Sequence, residues 1–271
     1  MKYARITSEQ TGPGGSYGIL KKETIYLLDR SPFPGLARET GVMVSLAEVK
    51  SFLPPADPPN IIALGLNYAE HAREGRWDLP LAPVVFLKAT TSLTSHLAPI
   101  ILPAEAPSEV DYEAELVIVI GKEAKNVPEE KALDYVFGYT CGNDVSARDC
   151  QMRTDKQWAR AKSFDTFTPI GPVIETELNP SGLAVQSRLN GKVMQDGNTG
   201  DLIFKVPAIV SYLSRQMTLF PQTLIMTGTP PGVGFARKPP VFLKSGDRIE
   251  IEIEGIGILV NPVVQERYCE R

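Results

Sequence analysis

The chain has 271 residues, of which 43% are hydrophobic and 22% are charged, and its formal net charge is −4. This length and composition are typical of a globular protein with a sizeable core in one large or two unequal domains. The acidic balance, without any Lys/Arg-rich block, argues against nucleic acids and anionic membranes as partners. No apolar stretch reaches the length of a membrane span and residues 1–6 lack a secretion signal, so we expect a cytoplasmic protein.

Cysteine and histidine usage limits the kinds of metal site that the chain can build. The three cysteines, Cys141, Cys150 and Cys269, lack metal-ligand spacing, and we interpret them as reduced structural thiols. His71 and His96 are the only two histidines, which excludes a histidine-rich zinc site. Any metal must therefore rely on oxygen ligands.

A proline-rich segment divides the sequence into two unequal parts. Residues 1–53 alternate short β-like runs with turn signals, and residues 45–53 could form a short helix with Ser45 as its N-cap. Residues 54–59 contain four prolines and predict a stiff, extended connector. We therefore predict a small N-terminal β-rich domain (1–53), a linker (54–59) and a main domain (60–271).

The main domain is predicted to be mostly β with short peripheral helices, an α+β protein. Strands are predicted at residues 60–66, 83–88, 110–121, 136–142, 223–226, 248–254 and 258–260, and helices at 67–74, 128–135, 146–154 and 207–217. Asn190-Gly191 is a strong hairpin signal between two strand-like runs. The hairpin signals favour antiparallel pairing and a closed or rolled β architecture.

The acidic residues Asp111, Glu113 and Glu115 precede a continuous apolar run that ends at residue 121. Alternate residues of a strand share one face, so these three carboxylates should lie together, about 7 Å apart in succession. Acids that enter a buried strand need a cation or hydrogen-bond donors. The alternative is a solvated strand end, as in residues 248–254, where glutamates alternate with isoleucines.

Asp144 follows another predicted strand and could join the two glutamates around a hard cation such as Mg²⁺. Arg148 and Gln151 are three positions apart, so on a helix they would share one face and could donate to a substrate carboxylate or carbonyl. The alternatives are a helix N-cap for Asp144 and a surface ion pair for Arg148.

His71 and Glu74 also lie on one helical face, three positions apart. A carboxylate beside an imidazole fixes its tautomer and raises its basicity, as a general base requires. A surface ion pair is the alternative. Residues 75–80, with a tryptophan, could form a mobile lid or a simple exposed connector.

Two further segments could contact an anion. Lys162 stands in apolar surroundings and could reach an oxyanion, or it could pair with Asp165. Residues 227–230 (Thr-Gly-Thr-Pro) lack the lysine and helix of a phosphate loop, which excludes nucleotide binding. Their hydroxyls and backbone N–H groups could still hold a carboxylate.

In order, these segments resemble the fumarylacetoacetate hydrolase superfamily over residues 60–262. The motifs are GLNY at 65–68, FLK at 86–88, DYEAEL at 111–116, NDVSARD at 143–149, KSFD at 162–165, PIGP at 169–172 and TGTP at 227–230. The resemblance implies a β-roll of mixed sheets, a homodimer, and one Mg²⁺ or Mn²⁺ (with Ca²⁺ an alternative) per site. The founding hydrolases have an extra aspartate near Asn67, whose absence favours the branch acting on smaller acylpyruvates and oxaloacetate.

The resemblance also implies a role for each candidate residue. The implied metal ligands are Glu113, Glu115 and Asp144; the catalytic residues are His71, Glu74 and Lys162; the substrate contacts are Arg148, Gln151 and Thr229.

The first function predicted is a metal-dependent hydrolase that cleaves a C–C bond in acylpyruvate-type β-diketo acids, such as fumarylpyruvate or acetylpyruvate. The water-activating pair of His71 and Glu74 favours this choice. Alternatives are an oxaloacetate decarboxylase or tautomerase, a 2-hydroxyhepta-2,4-diene-1,7-dioate-type isomerase, and a non-catalytic metal- or ligand-binding protein of the same fold. For all of these functions, we expect the ligand to be a small 2-oxo or β-diketo acid.

Overall fold

The computed structural model describes residues 1–33, 35–75 and 77–266. The strands are β1 (Lys2–Thr7), β2 (Ser16–Lys21), β3 (Thr24–Leu28), β4 (Glu39–Ser45), β5 (Ser51–Leu53), β6 (Ile61–Gly65), β7 (Val84–Lys88), β8 (Leu93–Ser95), β9 (Ile100–Leu102), β10 (Val110–Asp111), β11 (Ala114–Ile120), β12 (Val136–Asn143), β13 (Ser146–Ala147), β14 (Thr168–Glu175), β15 (Ala184–Leu189), β16 (Lys192–Asn198), β17 (Leu224–Met226), β18 (Arg248–Ile253) and β19 (Gly257–Gln265). The α-helices are α1 (Ala69–Gly75) and α2 (Val206–Gln216). Short 3₁₀ segments span Leu46–Glu48, Thr90–Ser92, Glu129–Tyr135, Thr199–Asp201 and Gly234–Ala236, and a π-helical turn spans Cys150–Thr154.

The strands form mixed sheets, which confirms the predicted mostly β fold. The largest sheet has the order β4-β3-β2-β1-β14-β12-β11-β17-β6-β7, with β5 added to β1 and β8 added to β14. A second sheet has the order β16-β15-β18-β19-β9, and β10 pairs with β13. Most pairs are antiparallel, but β8/β14, β6/β17 and β9/β19 are parallel. In the described part of the chain, no helix has both the length and the apolar character needed to cross a membrane.

Strand β11 lies inside the largest sheet, between β12 and β17, with every residue buried. Leu116, Ile118 and Ile120 belong to one hydrophobic cluster, whereas Val117 and Val119 belong to another. Because successive side chains of a strand point to opposite faces, an uninterrupted apolar run is what a strand covered on both faces requires. The prediction that this run is buried on both sides is confirmed.

The predicted hairpin at Asn190-Gly191 and the predicted half-exposed strand at 248–254 are also confirmed. Asn190 and Gly191 have φ values of 52° and 80° and connect β15 to β16, as a two-residue hairpin with both central residues left-handed requires. Strand β18 alternates buried isoleucines with partly exposed residues. Its glutamates therefore lie on a half-solvated face.

The segment predicted as one strand at 110–121 is broken into β10 and β11. The carboxylate of Asp111 accepts hydrogen bonds from the backbone N–H groups of Gly234 (2.7 Å) and Phe235 (3.1 Å). The backbone N–H of Glu113 donates to the Asn143 side chain at 2.9 Å. Residues 112–113 therefore interrupt the strand, and the Asp111 carboxylate is held by the 3₁₀ segment at residues 234–236.

Two predicted helices are wrong in extent. Residues 146–147 form β13, because the N–H of Ala147 donates to Ala161 (2.9 Å) and β13 pairs with β10; helical turns begin only at Cys150. Residues 45–53 contain one 3₁₀ turn, in which the Ser45 N–H donates to Glu48 Oε2 at 2.9 Å. Residues 51–53 of that segment form β5, which pairs with β1.

The N-terminal strands join the largest sheet through β1 and β14, where Lys2 is opposite Glu175. The division into domains at residues 54–59 therefore stays a prediction from sequence. Cys141 and Cys150 are buried free thiols, whereas Cys269 lies outside the described residues.

Candidate active site

The three predicted metal ligands are brought together where β11 begins and β12 ends. Ala114 is opposite Asn143 in the strand pairing, and the Asp144 N–H donates to the Glu113 carbonyl at 2.9 Å. One carboxylate oxygen from each of Glu113, Glu115 and Asp144 lies within 4.8 Å of the others, and all three residues are buried. The described residues therefore contain an acidic triad that could bind a metal ion.

The Glu115 carboxylate is fixed by a backbone donor on the loop after β17. Glu115 Oε2 accepts from the Gly228 N–H at 2.7 Å. Gly228 has a φ of 96°, and a Cβ there would lie 2.8 Å from Cβ of Asn67, so this position needs glycine. The Asn67 side chain is itself bound to Thr227 and Phe204. Asn67 therefore positions backbone segments.

Two buried lysines neutralise part of the acidic triad. Lys162 Nζ donates to Glu113 Oε2 at 2.9 Å and to Asp144 Oδ2 at 2.6 Å. Lys88 Nζ donates to the other Asp144 oxygen and to the Phe167 carbonyl at 2.8 Å. Sequence reasoning did not select Lys88 as a site residue. The sequence signal for it was the FLK motif at 86–88, which ends β7.

Arg148 connects the triad to Asp111. Its Nη2 donates to Glu113 Oε1 at 2.6 Å, its Nε donates to Asp111 Oδ2 at 3.0 Å, and its Nη1 donates to Gln151 Oε1 at 2.6 Å. Arg148 and Gln151 therefore meet as predicted, although the predicted helix does not begin at residue 146. Asp111 is wholly buried and supports this arrangement.

With all its groups ionised, this cluster carries an excess of negative charge. Burial, reinforced by Asp144 and Glu113, raises the pKa of Glu115 well above its ordinary value. Burial also opposes ionisation of Glu113, but Lys162 and Arg148 outweigh it and lower its pKa. With all groups ionised, four carboxylates and three basic side chains leave one excess negative charge; these are Asp111, Glu113, Glu115 and Asp144 against Lys88, Arg148 and Lys162. An oxygen-rich, buried, net-negative site fits a divalent cation.

His71 and Glu74 are in contact on α1. His71 Nδ1 lies 3.2 Å from Glu74 Oε2, and Glu74 also accepts from the Gly232 N–H at 3.0 Å. When Nδ1 donates to the carboxylate, Nε2 is left as an acceptor, the state that a general base needs. The His71 ring packs edge-to-face on Trp77, at 5.8 Å between centroids. Arg76 of the predicted lid lies outside the described residues.

Thr229 makes two hydrogen bonds within the protein. Its Oγ1 donates to the Ala114 carbonyl at 2.9 Å and accepts from Gln195 Nε2 at 2.7 Å. Gln195 also accepts from the Ala114 N–H, so it holds the start of β11. The predicted contact between Thr229 and a substrate carboxylate stays a prediction.

A cavity of about 280 Å³ opens onto this cluster. Seven of the nine predicted site residues line it, whereas Glu74 and Glu115 do not; the seven are His71, Glu113, Asp144, Arg148, Gln151, Lys162 and Thr229. The remaining lining residues are mostly aromatic or aliphatic. A few polar groups converging in a small, mainly apolar pocket are typical of a binding site for a small molecule.

Comparisons with known proteins identify the family of the chain. Residues 60–264 match the family model described as "Fumarylacetoacetate (FAA) hydrolase C-terminal", and residues 1–55 match "Rv2993c-like, N-terminal". A Dictyostelium discoideum protein named fumarylacetoacetate hydrolase domain-containing protein 2 homolog is 51% identical over 222 residues, covering 77% of this chain and 72% of that protein.

Two other relatives have names that describe an activity. Oxaloacetate tautomerase Fahd2a, mitochondrial, of Rattus norvegicus is 42% identical over 225 residues, covering 82% of this chain and 72% of that protein. The second is known from its crystal structure, that of 2-hydroxyhepta-2,4-diene-1,7-dioate isomerase from Mycobacterium marinum. Its sequence is 41% identical to this one, and the two structures superpose with a TM-score of 0.86 over 99% of this chain and 100% of that one. The chain belongs to the fumarylacetoacetate hydrolase family.

Proposed function

We propose that this protein is an enzyme that interconverts the keto and enol forms of a small 2-oxo acid such as oxaloacetate, with a divalent cation at the acidic triad. The names of similar proteins support rearrangement of a small acid over hydrolysis. The observation that carries the proposal is the buried cluster in which the acidic triad, Arg148 and Lys162 meet at one cavity. Hydrolysis of acylpyruvates, the first prediction from sequence, becomes the second candidate.

The charge of the cluster suits an anionic substrate. A divalent cation, Mg²⁺ or Mn²⁺, would change the net charge from one negative to one positive. A buried positive charge favours an anion that brings its own carboxylate. The cation, when bound, supplies a Lewis acid that polarises a carbonyl oxygen.

The side chains of the chain supply the other functions. His71, oriented by Glu74, takes up or returns the proton on the carbon next to the 2-oxo group. Arg148 and Lys162 stabilise negative charge that develops on the substrate oxygens. Tautomerisation needs no added water, in keeping with Trp77 packed on His71 and the apolar pocket walls. The same His71–Glu74 contact is what favours hydrolysis as second candidate.

The proposal is tested by following keto–enol interconversion of oxaloacetate and cleavage of acetylpyruvate with the purified protein and Mg²⁺. We expect accelerated interconversion of oxaloacetate that is lost with a chelator and restored by Mg²⁺ or Mn²⁺. Cleavage of acetylpyruvate without any acceleration of oxaloacetate would instead establish the hydrolase. Binding of a divalent ion without turnover of either acid would establish the non-catalytic alternative.

The proposal also includes a homodimer in the cytoplasm, as the resemblance and the sequence predict. Light scattering after size-exclusion chromatography should give twice the monomer mass of 29.7 kDa. A mass equal to that of one chain would contradict the dimer.

A further inference from the structure

We infer that the substrate carries an uncharged, ring-sized group on the carbon next to its 2-oxo group, held by apolar side chains at the mouth of the cavity. This inference rests on the proposed function, because it concerns the substrate of the same site. We call this region the aromatic compartment, formed by Leu66, Trp77, Phe86, Met152, Trp158 and Phe235.

The depth of each residue separates the compartment from the polar floor. The floor residues are each at most 7% exposed; they are His71, Glu113, Asp144, Arg148, Lys162 and Thr229. The compartment residues are all partly exposed, and Met152 is 53% exposed. A substrate that meets the floor with its carboxylate and 2-oxo group therefore extends the rest of its structure into the compartment.

The aromatic side chains form two walls. Trp77 and Phe235 have ring centroids 6.1 Å apart, and Phe86 and Trp158 have centroids 5.6 Å apart. Each pair is packed as aromatic side chains prefer, tilted or edge-to-face. A flat ring between such walls gains contact area without entering the polar floor.

Each wall also touches a basic residue of the floor. Arg148 Cζ lies 4.4 Å from the Phe235 centroid, and Lys162 Nζ lies 5.5 Å from the Phe86 centroid. The apolar compartment therefore begins directly beside the donors that would face the substrate oxygens. An arm attached one carbon away from the 2-oxo group reaches the compartment without a spacer.

The backbone is adapted to place two compartment residues. A Cβ at position 65 would lie 2.3 Å from Cζ3 of Trp158, so the Trp158 ring packs where Gly65 lacks a side chain. Leu66 has a φ of 53°, a left-handed conformation that a bulky residue rarely adopts. Strained residues that persist in a pocket are associated with a function there.

The charges of the lining residues favour an uncharged arm. The basic side chains among the described lining residues, His71, Arg148 and Lys162, all contact carboxylates of the protein. One substrate carboxylate balances the single positive charge that remains after a divalent ion binds. A second carboxylate, as in oxaloacetate, meets no unpaired basic side chain among these lining residues, so we expect oxaloacetate to be accepted less efficiently than an acid with an apolar arm, which meets matching surface.

The reaction on such a substrate needs no co-reactant. A C–H bond breaks on the carbon next to the 2-oxo group, its proton passes to His71, and its electron pair forms the C=C bond. The electrons of the C=O π bond move to oxygen, which gains a proton as the enol O–H forms. Phenylpyruvate is a probe of this class, because it has one carboxylate and a ring at that carbon.

The test compares phenylpyruvate and oxaloacetate in keto–enol assays with Mg²⁺. We expect wild-type protein to act on phenylpyruvate, and Trp158→Leu to lower the ratio of its kcat/KM to that of oxaloacetate by about tenfold, mainly through KM. Trp158→Phe should restore most of the ratio. Phe220→Leu, at an exposed aromatic residue that does not line the cavity, should leave it unchanged.

Binding gives a second readout, since both tryptophans of the chain, Trp77 and Trp158, lie in the compartment. Phenylpyruvate should change the tryptophan fluorescence of wild type at lower concentration than of Trp158→Leu. Turnover of oxaloacetate but not of phenylpyruvate, or an unchanged ratio in Trp158→Leu, would overturn this inference alone. Turnover of neither acid would overturn the proposed function, and this inference with it.

Discussion

Replacing Glu115 by glutamine should abolish divalent-cation binding and lower turnover of the 2-oxo acid by about a thousandfold, while the protein stays folded. The substitution removes one of three charged oxygen ligands but preserves an oxygen that can accept from the Gly228 N–H. Glu115 is a cleaner target than Glu113, whose neutralisation would also remove one of the two charged partners of both Arg148 and Lys162. Loss of metal binding would then follow from the ligand alone.

Two measurements make this prediction decisive. Titration calorimetry with Mn²⁺ should show binding to wild type and none to Glu115→Gln. In thermal unfolding, Mn²⁺ should raise the Tm of wild type only, because a ligand stabilises the folded state that binds it. Without metal, the Tm of the variant should equal or exceed that of wild type, since burial beside Asp144 and Glu113 raises the pKa of Glu115 and so disfavours its charged form in the folded protein.

The matched control is Glu252→Gln. Glu252 is also a strand glutamate, but it lies on the half-solvated face of β18, where it pairs with Arg188. Neither Mn²⁺ affinity nor activity should change, because exposed ion pairs contribute little. Mn²⁺ binding by Glu115→Gln with wild-type affinity would refute the assignment of the triad as a metal site.

The sequence predicted features that depend on neighbouring residues. The apolar run of β11 and the Asn190-Gly191 hairpin follow from side-chain alternation and from backbone preferences, and both are present. The acidic triad was predictable because Glu113 and Glu115 enter a buried strand, where carboxylates require compensation. Local pattern was therefore enough for the core strand and for its acidic end.

Features that depend on distant partners were not predictable in the same way. The side-chain spacing predicted a helix from Ser146, but the N–H of Ala147 donates to Ala161 instead, and a short strand forms. The Asp111 carboxylate accepts from N–H groups more than 120 residues away. Lys88 was missed because a lysine at a strand end is ordinarily solvated. Its burial depends on Asp144 and Phe167, which only the tertiary structure brings to it.

Asp111 connects the metal-site region to a loop that lines the cavity. It accepts from Arg148 Nε at 3.0 Å, from the Gly234 N–H at 2.7 Å and from the Phe235 N–H at 3.1 Å. Phe235 in turn lies over the Arg148 guanidinium. Asp111 therefore fixes both the arginine and the aromatic ring packed on it, as a positioning residue.

Asp111→Asn should lower the free energy of unfolding by about 3 kcal/mol, although its side chain has nearly the same shape. One carboxylate oxygen accepts from Gly234 and Tyr112, and the other accepts from Phe235 and Arg148. An amide provides one accepting oxygen, and its NH₂ group would face donors on the other side. Urea unfolding checks the loss. Asp57→Asn, at an ion pair with Arg5 in which the aspartate side chain is 64% exposed, should change stability little.

The role of Asp111 in positioning is separated from its role in stability by a double-mutant cycle with Arg148. If Asp111 acts on the substrate through Arg148, Asp111→Asn should raise KM in wild type but have little further effect on KM in Arg148→Met. Measured below each variant's unfolding transition, KM is insensitive to the fraction of unfolded protein, whereas apparent kcat is not. Equal increases in KM in both backgrounds would show that Asp111 does not act through Arg148.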